Sequence, residues 1–551
     1  MSNALSVIPL GGVEEIGLNM TVLEYGDDMV VVDAGLMFPQ EDMPGVDFVI
    51  PDFTYVLENR EKLRGIVITH GHEDHTGALP FLLKEINVPV FGTPLTLGLV
   101  REKLREHDLE HVELNSVKPR DIVNLGVFEI EFVRVTHSIV DGVGFGIRTP
   151  VGLVVHTGDF KLDPTPVDGQ LMDFHRFSEY GEKGTILLLS DSTNAEKGGF
   201  TFSEKEVRRS FEDIFSGAKG RIIVATFASN IHRIQQVVDV AAMFGRKVIL
   251  SGKSIVSNAR IALDLGYLRI PENIWLRLEN LKDLRDEEVV IITTGSQGEP
   301  MSVLSRIATA EHKTISIKEG DIVILSAKII PGNEQSIGRI INHLFRRGAD
   351  VIYEKVSEIH VSGHASKEEL KLMLNLVRPK YFVPIHGEHR HKVYHARLAE
   401  KTGVPTSNIF ILEDGDVLEI SGEGAVKSGK ITSGRVYVDG KGVGDVRDMV
   451  LRDRRRLAHD GIVLILIGIE KLTGNIISGP DIVSRGFVFE DASQEIINDV
   501  KELVYTSMKE LDSEIIADKA LIQARIRSVL KKYLRNTMER RPMIMPIIFE
   551  V

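Results

Sequence analysis

The chain has 551 residues, of which 43% are hydrophobic and 26% are charged, the balance of an ordinary folded protein. At about 150 residues per domain, this length predicts three or four domains. The absence of cysteine excludes disulfides, thiolate metal ligands and cysteine nucleophiles. The net charge of −13 argues against a general polyanion-binding protein, although a metal centre can hold a phosphate chain inside an acidic protein.

No apolar run approaches the roughly 18 residues that span a bilayer, and the first residues lack the pattern of a secretory signal. We therefore expect a cytoplasmic protein with no membrane association. Because the chain begins almost at its first predicted strand, we also expect no N-terminal extension.

The first 202 residues alternate short apolar strands with tight turns and a few helices, an α/β pattern in which polar residues end the strands. The predicted strands are Met29–Val32, Gly65–Thr69, Phe128–Val135 and Leu153–His156, and the predicted helices are Leu79–Glu85 and Thr96–Glu106.

Between residues 203 and 350 the pattern becomes a regular alternation of strands and helices, which predicts a second α/β unit with a parallel sheet. Its first helix, Ser203–Phe215, has Ser203 as N-cap and Glu206 placed for a capping box. From 351 to 420 the pattern of the first 202 residues returns, with short apolar strands ended by polar residues. This stretch has a predicted helix at Ser366–Val377 with a Ser366/Glu369 capping box. A pattern that stops and resumes predicts a domain inserted into another.

Residues 421–454 are rich in glycine and charge and are predicted to be a linker that includes one or two strands. Residues 455–551 are predicted to form a small α/β domain, with helices near 493–512 and 518–536. The second helix has an apolar stripe made of Ile522, Ile526, Val529, Leu530 and Tyr533.

The segment ITHGHEDHTG, residues 68–77, carries the strongest chemical signal. His70 and His72 are two residues apart on extended chain, so both can bind one metal ion. Asp74 and His75 follow where the chain turns into a helix and can face a second ion. Imidazole and carboxylate are the ligands that zinc takes where no thiolate is available, so this segment predicts a metal site.

A site with two metals needs further ligands, and strand ends supply candidates. His137 ends one predicted strand, and Asp159 ends another. A carboxylate can bridge two metals with its two oxygens, which an imidazole cannot, so Asp159 is the predicted bridging ligand. His156, three residues earlier, is predicted to support the site from outside the ligand set.

This H-x-H-x-D-H motif, followed by a separate histidine and a Gly-Asp turn, resembles the metallo-β-lactamase superfamily. The resemblance implies an αββα sandwich and a late histidine ligand, for which PIHGEHRH offers His386. It also implies that the early Asp33 supports the site structurally. The implied ligand sets are His70, His72 and His137 on one zinc, and Asp74, His75 and His386 on the other, with Asp159 across both.

More than 220 residues separate Asp159 from His386, and they include SDSTN with Asp191 and VSGHAS with His364. These motifs match the β-CASP group, which acts on nucleic acids. With VDAGLMFP, FASNIHR, TTGSQGEP, IHGEHRH and the tail domain, the whole chain resembles the bacterial ribonuclease J family. The predicted fold is thus a metallo-β-lactamase domain (1–202 and 351–420) split by a β-CASP domain (203–350), and followed by a C-terminal domain.

The resemblance implies hydrolysis of single-stranded RNA, as a 5′→3′ exonuclease favouring 5′-monophosphate ends and as an endonuclease, in mRNA decay and rRNA maturation. Two metal ions would lower the pKa of a water molecule that attacks the phosphorus, and they would offset phosphate charge. His364 is predicted to stabilise the phosphate or protonate the leaving group, and Asp191 to orient a histidine. Asp74, His364 and Asp191 are the predicted catalytic residues.

Two segments are predicted to bind the 5′-phosphate by the same resemblance. One is the loop of His360, Val361, Ser362, Gly363, His364, Ala365 and Ser366, whose helix start would offer exposed amide groups to an anion. The other is FASNIHR, with Ser229 and His232. TTGSQGEP is either a third phosphate loop or a turn, and the basic run Arg452–Arg456 either touches RNA or forms a solvated or domain-docking face.

Several alternatives stay open. A DNA nuclease or a strict endonuclease would not need a 5′-phosphate pocket, and a non-catalytic RNA-binding scaffold of a degradation complex would not need seven ligands. Manganese could replace zinc. A structural calcium ion near Asp47 and Asp445, a homodimer or homotetramer supported by the apolar stripe of the tail domain, and protein partners in an RNA-degradation complex are further expectations.

Overall fold

The computed structural model describes residues 4–40, 42–297, 299, 301–327, 333–354, 359–440, 442–446, 448–470, 475–487, 493–509 and 518–550. The chain forms two compact units. The larger unit is Met1–Phe38 with Val49–Val436, and the smaller unit is Pro39–Phe48 with Tyr437–Val551.

Two β-sheets in the larger unit share one apolar core. In spatial order, the first sheet contains Gly424–Lys430, Asp416–Ser421, Leu5–Gly11, Met20–Tyr25, Asp28–Val32, Leu63–Val67, Val90–Gly92 and Leu114–Ser116. The second contains Tyr381–Ile385, Thr185–Asp191, Gly152–His156, Val143–Thr149, Phe128–Arg134 and Ile122–Leu125. Leu23 and Val32 of the first sheet lie in the same buried cluster as Phe132, Phe145 and Leu187 of the second.

Helices cover these two sheets. Phe174–Lys183, Lys367–Val377 and His389–Lys401 bury their apolar side chains in one cluster with residues of the second sheet. Pro94–Glu106 contacts two strands of the first sheet and the helix Leu79–Glu85. The four layers confirm the expected αββα sandwich.

A third sheet of the larger unit has six parallel strands and is buried on both faces. Its strands, in spatial order, are Trp275–Leu276, Lys247–Ser251, Val289–Thr293, Ile222–Ala225, Ile322–Leu325 and Asp350–Ile352. Its helices are Glu204–Gly217, Ile231–Met243, Lys253–Asp264, Val303–Thr309 and Glu334–Arg346. Ser203 caps the first helix as predicted, but its side chain accepts the amide N–H of Lys205. The parallel architecture predicted for this part of the chain is confirmed.

A buried ionic cluster joins this third sheet to the sandwich. Arg233 is fully buried, and its guanidinium donates to Glu204 at 2.7 Å and to the carbonyl oxygen of Ile359 at 2.7 Å. The ammonium of Lys161, also buried, lies 3.6 Å from the carboxylates of both Glu204 and Asp163. Burial alone would raise the pKa of Glu204, but Arg233 and Lys161 lower it to about 2.

Replacing Glu204 with glutamine is expected to lower the free energy of unfolding by about 3 kcal/mol, because it leaves buried cations without their counter-charge. Chemical denaturation would measure this loss. Since the folded-state pKa lies below the roughly 4.3 of an unfolded glutamate, the contribution is complete above that pH and is lost as the pH falls towards 2. Glu206→Gln, on the exposed side of the same helix, is the control, and equal stability of both variants would contradict the prediction.

The smaller unit contains a three-stranded sheet of Ile476–Arg485, Ile462–Ile469 and Met543–Glu550, and the helices Asp448–Asp460, Ser493–Lys509 and Lys519–Met538. Residues 510–512 of the predicted helix lie outside the described residues. Ile522, Ile526 and Leu530 are buried against Val463 and Ile465 of the sheet. The expectation that this apolar stripe supports oligomers is therefore wrong, because the stripe forms the core of its own unit. Leu534 completes it, and Tyr533 is only partly buried.

The predicted linker, 421–454, contains the strands Gly424–Lys430 and Arg435–Asp439, and its boundaries stay predictions. Gly424–Lys430 is an edge strand of the first sheet, and the division between the two units falls after Val436. The helix Asp448–Asp460 begins inside the predicted linker. The glycine and charge content of this stretch reflects an exposed edge strand, which buries little side-chain area. The remaining domain boundaries stay predictions.

Candidate metal centre

Polar residues follow six buried strands and meet in one place. Asp33 follows Asp28–Val32, and His70 to His75 follow Leu63–Val67. The other strands of the set end at or just before His137, Asp159, Asp191 and His386. Three groups of potential metal ligands form here: His70, His72 and His137; Asp74, His75, Asp159 and His386; and Asp159, Asp191, His364 and His386.

The three histidines of the first group converge on one point. Nδ1 of His72 lies 3.0 Å from Nε2 of His70 and 3.3 Å from Nε2 of His137. Burial lowers the pKa of His70 well below its usual value, that of His72 to about 4 and that of His137 to about 3. Neutral imidazoles have a free lone pair, which is the form that binds a metal.

Asp159 lies between this group and the second. Its Oδ2 is 3.3 Å from Nε2 of His75 and 3.4 Å from Nε2 of His386. The same oxygen is 3.8 Å from Nε2 of both His70 and His137. Two ligand atoms on one tetrahedral zinc with bonds of 2.0–2.1 Å are about 3.3 Å apart, so these spacings fit metal binding.

The charges in the second group call for a cation. Burial opposes charge on every member, yet Asp159 and Asp74 raise the pKa of His75 well above its usual value. Asp159 is also the main cause that raises the pKa of His386 to about 9. The two histidines in turn keep the pKa of Asp159 well below the usual range. The buried carboxylate of Asp159 and the partly buried carboxylate of Asp74 are thus held ionised by positive charge, which a divalent metal would supply.

Neighbouring groups fix the ring orientation of three of these histidines. Asp33 Oδ2 accepts from Nδ1 of His75 at 2.7 Å, and the Thr69 amide and hydroxyl both donate to Asp33 at 2.8 Å. The carbonyl oxygen of Gly363 accepts from Nδ1 of His137 at 2.8 Å. Nδ1 of His386 lies 2.7 Å from the hydroxyl of Thr193. Each contact engages Nδ1, so Nε2 of the same ring points towards the centre of the site. Metal-binding histidines require this arrangement.

Replacing Asp33 with asparagine is expected to weaken metal binding by about 10- to 100-fold, because His75 loses the carboxylate that sets its tautomer. Competition with a chelator of known affinity would measure this change. Asp27→Asn, an exposed residue of the same region, is the control. Unchanged affinity in the Asp33 variant would show that the ring is oriented by other contacts.

His364 and Asp191 form a pair at the edge of the site. Nδ1 of His364 lies 2.8 Å from Asp191 Oδ2 and 3.8 Å from Asp159 Oδ2. The His364 ring is 19% exposed, whereas Asp191 is buried. The side-chain amide of Asn194 donates to Ser362 Oγ and to the carbonyl of His364, so it holds the loop in place. His156, as expected, belongs to none of the ligand groups and accepts the Gly158 amide.

The start of the helix Lys367–Val377 does not offer free amide groups. The Ser366/Glu369 capping box forms, and the Glu369 carboxylate accepts the amides of Ser366, Thr201 and Leu162. The next two amides donate to the carbonyls of Lys197 and Gly199. The expectation that exposed amides here bind an anion is therefore wrong, because the protein itself satisfies them.

The FASNIHR segment divides between structural and accessible roles. Asn230 caps the helix Ile231–Met243, and Arg233 belongs to the buried ionic cluster. His232 and His137 line the same small cavity, but Nε2 of His232 lies 3.5 Å from the carboxylate of Asp168. Ser229 is partly buried. The sequence alone gives no signal for Asp168, because a single aspartate in a turn is usually structural.

The weaker predictions have mixed outcomes. Gly298 and Pro300 of TTGSQGEP lie outside the described residues. In the smaller unit, Arg454 donates to the carbonyl of Gly45 and to Asp439, which favours the docking interpretation of the basic run. Asp47 accepts the Gly440 amide, and among the described residues neither it nor Asp445 belongs to a ligand group. Calcium binding stays a prediction.

Four family models match the chain in sequence. They are the metallo-β-lactamase superfamily (residues 15–213), the ribonuclease J β-CASP domain (219–344), the Zn-dependent metallo-hydrolase RNA specificity domain (348–411) and the ribonuclease J C-terminal domain (449–551). Together with the histidine–aspartate site, they define a metal-dependent hydrolase built on a metallo-β-lactamase fold with a β-CASP insert.

Relatives that are similar over nearly the whole chain narrow this class of hydrolases to one family. Ribonuclease J of Thermus thermophilus is 45% identical, with 99% of this chain and 95% of the relative covered. Ribonuclease J 1 of Streptococcus pyogenes is 42% identical and ribonuclease J2 of Bacillus subtilis 41% identical, each with 99% of this chain and 98% of the relative covered. The chain belongs to the ribonuclease J family and is a metal-dependent ribonuclease.

A solved structure gives independent support for the fold. The crystal structure of a protein of unknown function from Enterococcus faecalis matches with a TM-score of 0.54 at 16% identity, covering 76% of this chain and 100% of that chain. Among the described helices, none combines the length and the apolar content needed to cross a membrane.

Proposed function

We propose that the site holds two zinc ions and hydrolyses RNA from 5′-monophosphate ends, with additional internal cleavage, in mRNA decay and rRNA maturation. One ion would be held by His70, His72 and His137, the other by Asp74, His75 and His386, with Asp159 across both. The position of Asp159 Oδ2, 3.3–3.8 Å from a nitrogen of four histidines, is the observation that carries this proposal. Manganese suits the same nitrogen and oxygen ligands.

Metal ions bound here would lower the pKa of water and offset the charge of the scissile phosphate. The protein's own contribution comes from His364 and Asp191. Asp191 accepts Nδ1–H of His364 at 2.8 Å, which leaves Nε2 of the partly exposed ring to carry a proton. His364 would give that proton to the leaving 3′-oxygen or donate a hydrogen bond to the phosphate. Asp191 acts as the residue that positions the ring.

The 5′-phosphate would lie near the loop of residues 360–366, with Ser229 and His232 as further contacts. The shared cavity of His137 and His232 supports this placement. Asp168 next to His232 and the occupied amides of the Ser366 helix weaken it. These two observations favour keeping a second candidate, an endonuclease without dependence on the 5′ end.

One RNA carrying an internal label, with either a 5′-monophosphate or a 5′-triphosphate, separates the candidates. Release of mononucleotides only from the monophosphate substrate, and its loss with chelator and in His72→Ala, is the expected result. Internal fragments with equal rates for both 5′ ends would reject the 5′-phosphate pocket and leave the endonuclease. Absence of cleavage with metal bound would reject catalysis on RNA and require the same test on DNA.

Assembly and location are further parts of the proposal. We expect a homodimer or homotetramer and partners in an RNA-degradation complex, both by family analogy alone. We also propose a cytoplasmic location, where an RNA substrate would be found. Sedimentation at several protein concentrations would measure the oligomeric state.

A further inference from the structure

A second cavity of the larger unit, about 640 Å³ in volume, lies away from the histidine–aspartate site and shares no residue with it. It opens where the strand Lys247–Ser251 ends and the helix Lys253–Asp264 begins, and the helix Pro94–Glu106 forms another wall. The carboxyl ends of strands in a parallel sheet are the usual place for a ligand in α/β domains. Its volume is within the range of small-molecule sites, about 300–1,000 Å³.

Positive charge in this cavity exceeds what the protein itself neutralises. Four cations and two carboxylates line it. Arg105 is paired with Glu102 at 2.6 Å, and Lys253 with Glu106 at 2.5 Å. Arg260 and Arg306 form no ion pair with any residue in the described ranges.

Arg306 is the more informative of the two unpaired arginines. It is partly buried, and its Nε is shielded from solvent with no hydrogen-bond partner among the described residues. His312, also on the cavity wall, lies close enough to feel this charge: burial and Arg306 both lower the pKa of His312. A partly buried guanidinium without a counter-ion is expected to attract an anion.

The helix Lys253–Asp264 adds backbone donors to this positive region. Its N-cap is Gly252, which has no side chain to accept the first-turn amides. Gly252, Lys253 and Val256 line the cavity, so the first turn of the helix borders it. The amides and the helix dipole at such a start favour a phosphate group.

The remaining wall is apolar. Val256, Ile261, Leu278 and Val303 line it. A free phosphate ion would leave this surface unused, whereas a base and a ribose would cover it. A lining that combines arginines with apolar side chains fits a nucleotide better than an inorganic anion.

We propose that this cavity is a nucleotide-binding site separate from the metal centre. The phosphate would contact Arg306, Arg260 and the start of the helix Lys253–Asp264, and the base would lie against Val256 and Leu278. The nucleotide can be free or part of an RNA strand, since both present the same phosphate and base. The proposal does not depend on the reaction at the metal centre.

Calorimetric titration of the full chain with AMP, in the presence of a chelator, tests it. Arg306→Ala is expected to weaken AMP binding by about tenfold or more, the loss typical of one charge-assisted contact. Arg260→Ala is expected to weaken AMP binding as well. Because Arg260 is exposed, its replacement should not affect folding, so this variant tests the site even if Arg306→Ala does not fold. Arg60→Ala, another exposed arginine of the larger unit, is expected to bind AMP as the parent chain does.

Two further titrations distinguish a free nucleotide from an RNA strand, and a nucleotide from inorganic phosphate, as the ligand of this cavity. If a 12-nucleotide RNA also loses affinity in Arg306→Ala, the site binds a nucleotide of the RNA strand; if only AMP does, the ligand is a free nucleotide. Unchanged AMP affinity in both arginine variants would overturn the proposal. Inorganic phosphate binding as tightly as AMP would overturn its nucleoside part. None of these readouts uses cleavage, so failure here is distinct from failure of the proposed ribonuclease mechanism.

Discussion

Replacing Asp159 with asparagine is expected to lower the rate of RNA cleavage by about a thousandfold or more. The carboxylate oxygen that faces both ligand groups is 3.3–3.4 Å from two histidine nitrogens and 3.8 Å from two others. Asparagine has the same size but no negative charge, so its amide oxygen would bind metal ions much more weakly than the carboxylate does. The effect of a catalytic metal is worth several kcal/mol, and each 1.36 kcal/mol is a factor of ten.

Initial rates on end-labelled RNA, together with the metal content per chain by mass spectrometry, would measure both effects of the Asp159 change. Asp108→Asn is the matched control, because Asp108 is exposed and its positive φ of 59° suits asparagine equally well. A variant that keeps two metals and cleaves within tenfold of the parent rate would refute the bridging role.

The seven proposed ligands could be found in the sequence because each follows a buried strand. The strand ends at one edge of the two packed sheets converge in space, so His70, Asp159 and His386 come together although His70 and His386 are 316 positions apart in the printed chain. What the sequence did not reveal is how each ring is oriented. Gly363 acts through a backbone carbonyl, which every residue has, and therefore leaves no mark in the residue type.

Two errors have a physical origin that is visible in the sequence itself. The Ser366/Glu369 pair was recognised as a capping box, and a capping box consumes the amides that an anion would need. The apolar stripe of the last helix was assigned to oligomers, although a small domain needs such a stripe for its own core. The same amides cannot both close a capping box and bind an anion, and the same apolar side chains cannot both fill the domain core and form an interface.

Gly363→Ala is the second change with a large expected effect, a fall in the rate of RNA cleavage of about a hundredfold. A Cβ on Gly363 would lie 2.5 Å from Cε1 and 2.7 Å from Nδ1 of His137. These atoms belong to the His137 ring, which the Gly363 carbonyl orients by accepting a hydrogen bond from Nδ1. The ring or the loop must shift, and a displacement of about 1 Å at a reacting centre can cost a hundredfold in rate.

The fold of the Gly363 variant is expected to persist, because the clash involves the His137 ring and the Ser138 hydroxyl and none of the apolar cores. Circular dichroism and thermal unfolding would establish this, and the cleavage rate would then report the site alone. Gly338→Ala is the control: Gly338 lies within the helix Glu334–Arg346, and no heavy atom comes within 4 Å of an added Cβ. A Gly363 variant with parental activity and metal content would mean that His137 is positioned independently of the loop.

The Asp159→Asn and Gly363→Ala variants test two different roles, metal binding and the positioning of groups at the site. Asp159 lies between the two proposed ligand groups, whereas Gly363 is on the loop that carries His364 and contacts the site through His137. If Gly363→Ala lowers activity while zinc content stays complete, the loop positions His364 and substrate. If zinc is lost in parallel with activity, the loop acts mainly by holding the ligand. Measuring both quantities in both variants therefore separates metal binding from the positioning of the reacting groups.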